Sequence, residues 1–277
     1  MTTAQKITKY VAIALAAVLI VAIIGGIAQV IVAVAGFFLG SDGVTDEMTV
    51  YPVSDPVTSL TLDINAADIT LQTGDSFSVE SNLKYLTVEV EDGCLILRDR
   101  HRNSIFGGEN YSNAILTLTV PADFSFEKVN LATGAGRVTA DCLIAAHADF
   151  SFGAGEVSIA TLTVTGSIRL EGGAGKIEIQ DGAIHDLDAD LGIGETRIAS
   201  AFTGDCRIDC GVGETVLTVI GSRDFYSVRC DKGIGSASLD GEPMENEKTY
   251  GTGEEKITVE GGIGAIKIVF ESRFQAR

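Results

Sequence analysis

Five carboxylates stand two residues ahead of recurring glycine doublets: Glu171, Asp190, Asp209, Asp231 and Glu260. Gathered into one column, they could hold a cation or a basic partner, because a hard cation takes several oxygen ligands. Arg169, Arg207 and Arg229 lie two residues earlier in three of the same units, so the expected outcome is a solvated face that neutralises itself, as exposed charges readily do. Asp186, Asp188 and Asp190 form an i, i+2, i+4 set. Paired carboxylates cleave glycans, but on a strand this spacing points three acids to one exposed side. His101, His147 and His185 have neither a nucleophile nor a second metal ligand at a recognisable spacing. Cys206-x-x-x-Cys210 lacks the second pair that a zinc site needs, and the other cysteines, Cys94, Cys142 and Cys230, leave an odd total of five. The cysteines therefore read as small hydrophobes in a core, more than as a disulfide framework. No catalytic residue, cofactor-binding residue or metal ligand is expected, and an enzyme is the third reading at best.

The doublets themselves could be mistaken for ligand loops. They are Gly134/Gly136, Gly153/Gly155, Gly173/Gly175, Gly192/Gly194, Gly211/Gly213, Gly233/Gly235 and Gly262/Gly264. A dinucleotide fingerprint requires a third glycine three residues on, where this chain has Thr139, Ser158, Glu178, Arg197, Val216, Ser238 and Lys267. The runs starting at Gly172 and Gly261 imitate a calcium-binding nonapeptide, but Ile177 and Ile266 occupy its aspartate position. The glycines are expected at tight corners of the backbone.

These residues must be positioned by a repeat. The first glycines are 19, 20, 19, 19, 22 and 29 residues apart, and period-2 apolar alternation surrounds each doublet, as in Ile168 and Leu170 before Gly173 and Ile177 and Ile179 after it. Twenty extended residues trace roughly 65 Å, a plausible perimeter for one coil of a β-solenoid with coils about 4.8 Å apart. Positions five, three and one before each first glycine then face inward, giving nearly all-apolar columns such as Leu187, Ala189 and Leu191, or Cys206, Ile208 and Cys210. The position four before reads Asn130, Asp149, Arg169, Asp188, Arg207, Arg229 and Thr258, and the position three after reads Arg137, Glu156, Lys176, Glu195 and Glu214. Opposite charges mostly become neighbours, as stacked strands favour.

Residues 131–270 are thus the regular coils, and residues 59–130, which alternate without doublets, are irregular first coils or a cap. Residues 99–113 and 241–256 are polar loops, either of which could be functional. Residues 41–58 read as a linker and 271–277 as a tail.

From Val11 to Leu39 no residue is charged, and Lys6 and Lys9 precede the run while the first acid, Asp42, follows it. A spanning helix over residues 10–40 is expected, with residues 1–9 cytoplasmic and the remainder extracytoplasmic. A cleaved signal peptide ending at Ala33-Val34-Ala35 is the rival, although its apolar region would be overlong. The chain carries 20 basic and 38 acidic residues for a net charge of −18; without Lys6 and Lys9 the exterior part is 18 − 38 = −20. That excludes a nucleic-acid binder, which must neutralise phosphates.

Several segments, in their order, resemble a known family: SLTLDINAADITL from Ser59, VEDGCLIL from Val90, ILTLTVPADF from Ile115 and VNLATGAG from Val129. Over roughly residues 59–270 the chain is similar to the bacterial putative adhesins of the domain-of-unknown-function type. The resemblance implies an all-β, single-stranded right-handed parallel β-helix and a role at the cell envelope, with no catalytic residues to transfer. Binding as an adhesin-like or envelope-interaction module, to a protein or glycan partner and with the membrane as its anchor, is the expected function. An accessory role in envelope-stress sensing is the alternative, and a glycan-active enzyme comes third.

Overall fold

The computed structural model describes residues 43–99, 111 and 113–272. The chain divides into two units, residues 1–44 with 102–112 and residues 45–101 with 113–277; apart from its first residue, Val44, the sheet lies in the second. The expected spanning segment 10–40 and most of the loop 99–113 lie outside the described residues. Among the described residues, no helix is long and apolar enough to cross a membrane.

Among the described residues the fold is all-β, in one open sheet of sixteen strands. In chain order these are β1 (Val44–Pro52), β2 (Ser59–Gly74), β3 (Ser78–Leu83), β4 (Leu86–Glu91), β5 (Cys94–Asp99), β6 (Ile115–Pro121), β7 (Ser125–Ile179), β8 (Gly182–His185), β9 (Leu187–Thr203), β10 (Asp205–Ile220), β11 (Tyr226–Asp231), β12 (Ile234–Leu239), β13 (Glu242–Pro243), β14 (Thr249–Tyr250), β15 (Glu255–Glu260) and β16 (Ile263–Glu271). The alternation of apolar and polar residues explains why these segments are strands: β2 buries every second residue from Leu60 to Ile64 and from Ile69 to Leu71, the period that a half-buried strand requires.

Parallel pairing joins residues about one repeat apart. Ile168 lies beside Leu187 and Leu170 beside Ala189; Ala189 lies beside Ile208 in turn. One inward column, taken in stacking order, is Leu97, Leu62, Leu131, Phe150, Leu170, Ala189, Ile208, Val259 and Cys230, each no more than 2% exposed. Fully burying a large aliphatic or aromatic side chain stabilises by about 1.5–3 kcal/mol, so the column is a principal element of the core. A slip of one residue would send the whole column into water.

Stacking order departs from chain order at both ends. β2 lies between β7 on one side and β5 with β6 on the other, so the chain begins on the second rung, retreats to the first and then advances. At the far end β10 pairs with β15 and β16, and these pair with β11 and β12. The last segment in sequence is therefore inserted beneath the one before it. Charge gives a reason: direct stacking in chain order would bring Arg229 over Arg207, whereas the observed register places Thr258 between them. Like charges directly opposite each other are destabilising.

Each end is closed by antiparallel strands. β3 pairs with β6 and β4 with β5 at one end; β13 pairs with β12 and β14 with β11 at the other. This covers backbone groups that would otherwise recruit further strands. The loop 241–256 is part of that closure, since Met244 is buried, its N–H donates to Ala237 O and the Glu247 N–H donates to Cys230 O. The stretch 41–58 carries β1, an edge strand beside β3.

Candidate functional site

The glycine doublets stack on one another. A Cβ added at Gly153 would collide with the Gly134 carbonyl, one at Gly173 with that of Gly153, and one at Gly192 with that of Gly173; the same holds for Gly211 on Gly192, Gly262 on Gly211 and Gly233 on Gly262. The second glycines repeat the pattern, with Gly155 over Gly136, Gly175 over Gly155, Gly194 over Gly175, Gly213 over Gly194, Gly264 over Gly213 and Gly235 over Gly264. Below Gly134 and Gly136 the column ends on Asn65 and Ala67. Gly194 and Gly213 both have φ +141, a backbone conformation that side chains beyond hydrogen rarely allow.

Between the glycines, the middle residue is not buried. Along the stack it reads Ala135, Ala154, Ala174, Ile193, Val212, Ile263 and Ile234, and the column begins on the buried Ala66. The last four are large and exposed, at 56%, 42%, 40% and 72%. Glycines on either side supply no cover, so these side chains form an aliphatic ridge over four successive rungs. The alternation pattern and the glycine spacing do not single this ridge out; the change from Ala to Ile or Val at one position of the repeat is the signal that could find it.

The five acids do form a column. Glu171 lies beside Asp190, Asp190 beside Asp209, Asp209 beside Glu260 and Glu260 beside Asp231. Arginines answer most of them. Arg169 Nη2 is 2.7 Å from Glu171 Oε1, and Arg207 lies 3.5 Å from Asp209 and 2.8 Å from Glu260. Asp231 accepts from the Gly233 N–H at 3.1 Å. Asp190 has no cation within ion-pair distance among the described residues. On the other flank of the corner, Glu214 takes Lys267 at 2.5 Å and Arg197 at 3.4 Å, and Arg197 also pairs with Glu195. The Lys267 hydrogen bond and charge hold the Glu214 carboxyl below its ordinary range, with Arg197 adding to the effect. Among the described residues, no group of three His, Cys, Asp or Glu side chains is placed to hold a metal ion.

Asp186, Asp188 and Asp190 separate in role. Asp188 stacks between Arg169 and Arg207, Asp190 belongs to the acid column, and Asp186 accepts from the Asp205 N–H at 2.9 Å. His147 and His185 acquire neighbours that sequence spacing does not disclose, and His101 lies outside the described residues. His147 Nδ1 is 3.0 Å from Ser167 Oγ. His185 Nδ1 is 2.9 Å from Thr203 Oγ1, and its Nε2 is 3.4 Å from Asp186. These partners are 20 and 18 residues apart, about one repeat, so the repeat length itself is the signal that could find them. Hydroxyl, imidazole and carboxylate are the parts of a nucleophilic triad. Here, however, the nearest backbone donors are occupied, Gly204 N–H by Glu255 and Asp205 N–H by Asp186, so those two do not serve as an oxyanion hole.

The described cysteines are free; Cys206 and Cys230 are buried, and Cys94, Cys142 and Cys210 are partly so. Burial is the main reason that the Cys206 and Cys230 thiols are pushed up to about 11. Because Cys206 and Cys230 are buried, a disulfide-exchange reagent at pH 8 should modify the partly exposed Cys94 and Cys142 well before them, a difference that denaturant should erase. Between about pH 9 and 11 the unfolded chain releases these two protons while the folded chain keeps them, so stability should fall as pH rises through that window. Replacing both thiols with Ala should flatten the alkaline limb of a pH–melting curve; an unchanged slope would refute the assignment.

No family model matches the chain, and no curated protein does. Solved structures similar to it include one described as a putative cell adhesion protein from Clostridium sporogenes, at 13% identity and TM-score 0.35, covering 81% of this chain and 99% of that one. A putative adhesin from Bacteroides fragilis has 14% identity and TM-score 0.33, with coverage of 81% and 98%. A putative lipid binding protein from Parabacteroides distasonis has 14% identity and TM-score 0.33, with coverage of 80% and 96%.

Proposed function

We propose that the chain is a membrane-anchored, extracytoplasmic β-solenoid, a single-stranded right-handed parallel β-helix, that serves as an adhesin-like or cell-envelope interaction module and binds without turnover. The observation that carries this reading is the registered display of side chains. Inward columns are filled with hydrophobes, while each outward column repeats at every rung and offers a continuous surface to an extended partner. The sequence adds the location through the uncharged run from Val11 to Leu39 behind Lys6 and Lys9. The exterior charge of −20 narrows the partner, because it repels wall polyanions unless cations bridge them.

Two measurements test this. Amino-terminal sequencing of the mature, membrane-extracted protein should recover the uncleaved start, and a mature protein beginning near Gly36 would replace the anchor with a signal peptide. The full chain should also retain an envelope component and release no sugar from envelope glycans. Sugar release abolished by Asp188→Asn would move the assignment to an enzyme. A ligand-dependent response in an envelope-stress reporter, without any attachment phenotype, would move it to sensing.

A further inference from the structure

We propose that the aliphatic ridge of Ile193, Val212, Ile263 and Ile234 is a docking surface for a cationic, amphipathic helical segment of a partner protein. This deepens the binding function proposed above and rests on it. Scattered exposed aliphatics need no explanation, but four in consecutive rungs make one contiguous apolar strip rimmed by charge, the kind of patch that marks interaction sites. Folding does not require them: the corner depends on the flanking glycines, and in the rungs below the same column is filled by Ala135, Ala154 and Ala174. Strand propensity would favour Ile and Val on any outward column, yet the outward columns on either side of this one are largely charged.

Charge identifies the occupant. One flank carries Asp190, Asp209, Glu260 and Asp231, and the other carries Glu195 and Glu214. The same four rungs also carry Asp188, and their cations are Arg207, Arg197 and Lys267, already ion-paired to these acids, Arg229 in the column of Arg207, and Lys232 beside Gly233. Seven acids against five cations leave 5 − 7 = −2 around the ridge, and Asp190 has no ion-pair partner among the described residues. A second copy of the chain would bring acid against acid, and an anionic membrane surface would be repelled. A polypeptide with an aliphatic stripe bordered by Lys or Arg satisfies both the ridge and its flanks. The spacing suits a helix, since four rungs at about 4.8 Å span roughly 14 Å, close to the roughly 15 Å between residues i and i+10 of a helix, whose stripe presents i, i+3 or i+4, i+7 and i+10. The glycine tracks beside the ridge leave room for such side chains.

The test uses the full chain and a labelled peptide of about eighteen residues with Leu at i, i+3, i+4 and i+7 and Lys between them. Fluorescence anisotropy should show binding that weakens with salt. Replacing Ile193, Val212, Ile263 and Ile234 together by Thr, which keeps strand propensity and every charge, should reduce affinity at least about tenfold with an unchanged melting temperature. A peptide of the same leucine pattern with Glu for Lys should not bind. Equal binding to the Thr variant would overturn the proposal in favour of general charge attraction, and equal binding of the Glu peptide would overturn it in favour of unspecific apolar contact. Self-association of the wild type that the Thr variant loses would assign the ridge to a second copy instead. Capture of an envelope component that persists in the Thr variant, with no peptide binding, would overturn the ridge alone. Ridge-dependent peptide binding with no envelope capture would overturn the envelope function and leave the ridge.

Discussion

Removal of residues 255–277 is expected to abolish cooperative unfolding, even though every strand up to β14 remains in the chain. The deleted segment carries Ile257, Val259, Ile266 and Ile268, all at most 4% exposed. At about 1.5–3 kcal/mol for each buried side chain, their loss alone rivals the 5–15 kcal/mol or so by which a domain is usually stable. The larger effect comes from position. β15 and β16 fill the layer between β10 and the β11–β12 rung, so deletion strips the covered edge of β10 and leaves Val228, Cys230 and Leu239 without the strands that they pack against. Collapse of β11 directly onto β10 would set Arg229 over Arg207 and Asp231 over Asp209. Circular dichroism on heating should show a broad or absent transition, and limited proteolysis should cut within 221–254. A sharp transition lowered by only a few degrees would mean that 255–271 is a dispensable end rung, contrary to the observed pairing.

Gly213→Val is expected to destabilise by about 3 kcal/mol or more, combining backbone strain with steric overlap. Gly213 has φ +141, and a Cβ there would overlap the Gly194 carbonyl oxygen. Gly264 rests on Gly213 in the next rung in the same manner, so the backbone cannot relieve the overlap by moving along the stack. Gly241→Val is the control, because Gly241 also has a positive φ, +84, but nothing lies within 4 Å of its would-be Cβ. That variant should cost about 1–2 kcal/mol from conformation alone. Urea denaturation of both variants separates the two causes. Equal losses would show that left-handed backbone, and not close approach between rungs, is what selects glycine at the corner.

Periodicity was enough to determine the local order of this chain. Alternation such as Ile168, Leu170, Ile177 and Ile179 selects strands because its period is that of a pleated backbone, and the glycine spacing near twenty sets which residues meet one rung apart. The acid column of Glu171, Asp190 and Asp209 followed from that register, as did the inward placement of Cys206 and Cys230. The apolar run before residue 40 lies outside the described residues. What the sequence alone could not provide was the order of rungs at the two ends. Steps of 22 and 29 residues after Gly211 look like loops of growing length, and an inward pattern is the same whether a strand lies next to its predecessor or one layer beyond. Only the tertiary structure, by weighing Arg207 against Thr258 or Arg229 as a neighbour and by closing both edges with antiparallel strands, places 255–271 beneath 226–239 and 59–74 above 94–99 and 115–121. It also decides the partnership of His185 with Thr203 and the union of Ile193, Val212, Ile263 and Ile234 into one ridge. These contacts join residues that are ordinary in their own segments and become a site when the backbone hydrogen bonds of successive rungs bring them within about 5 Å of each other.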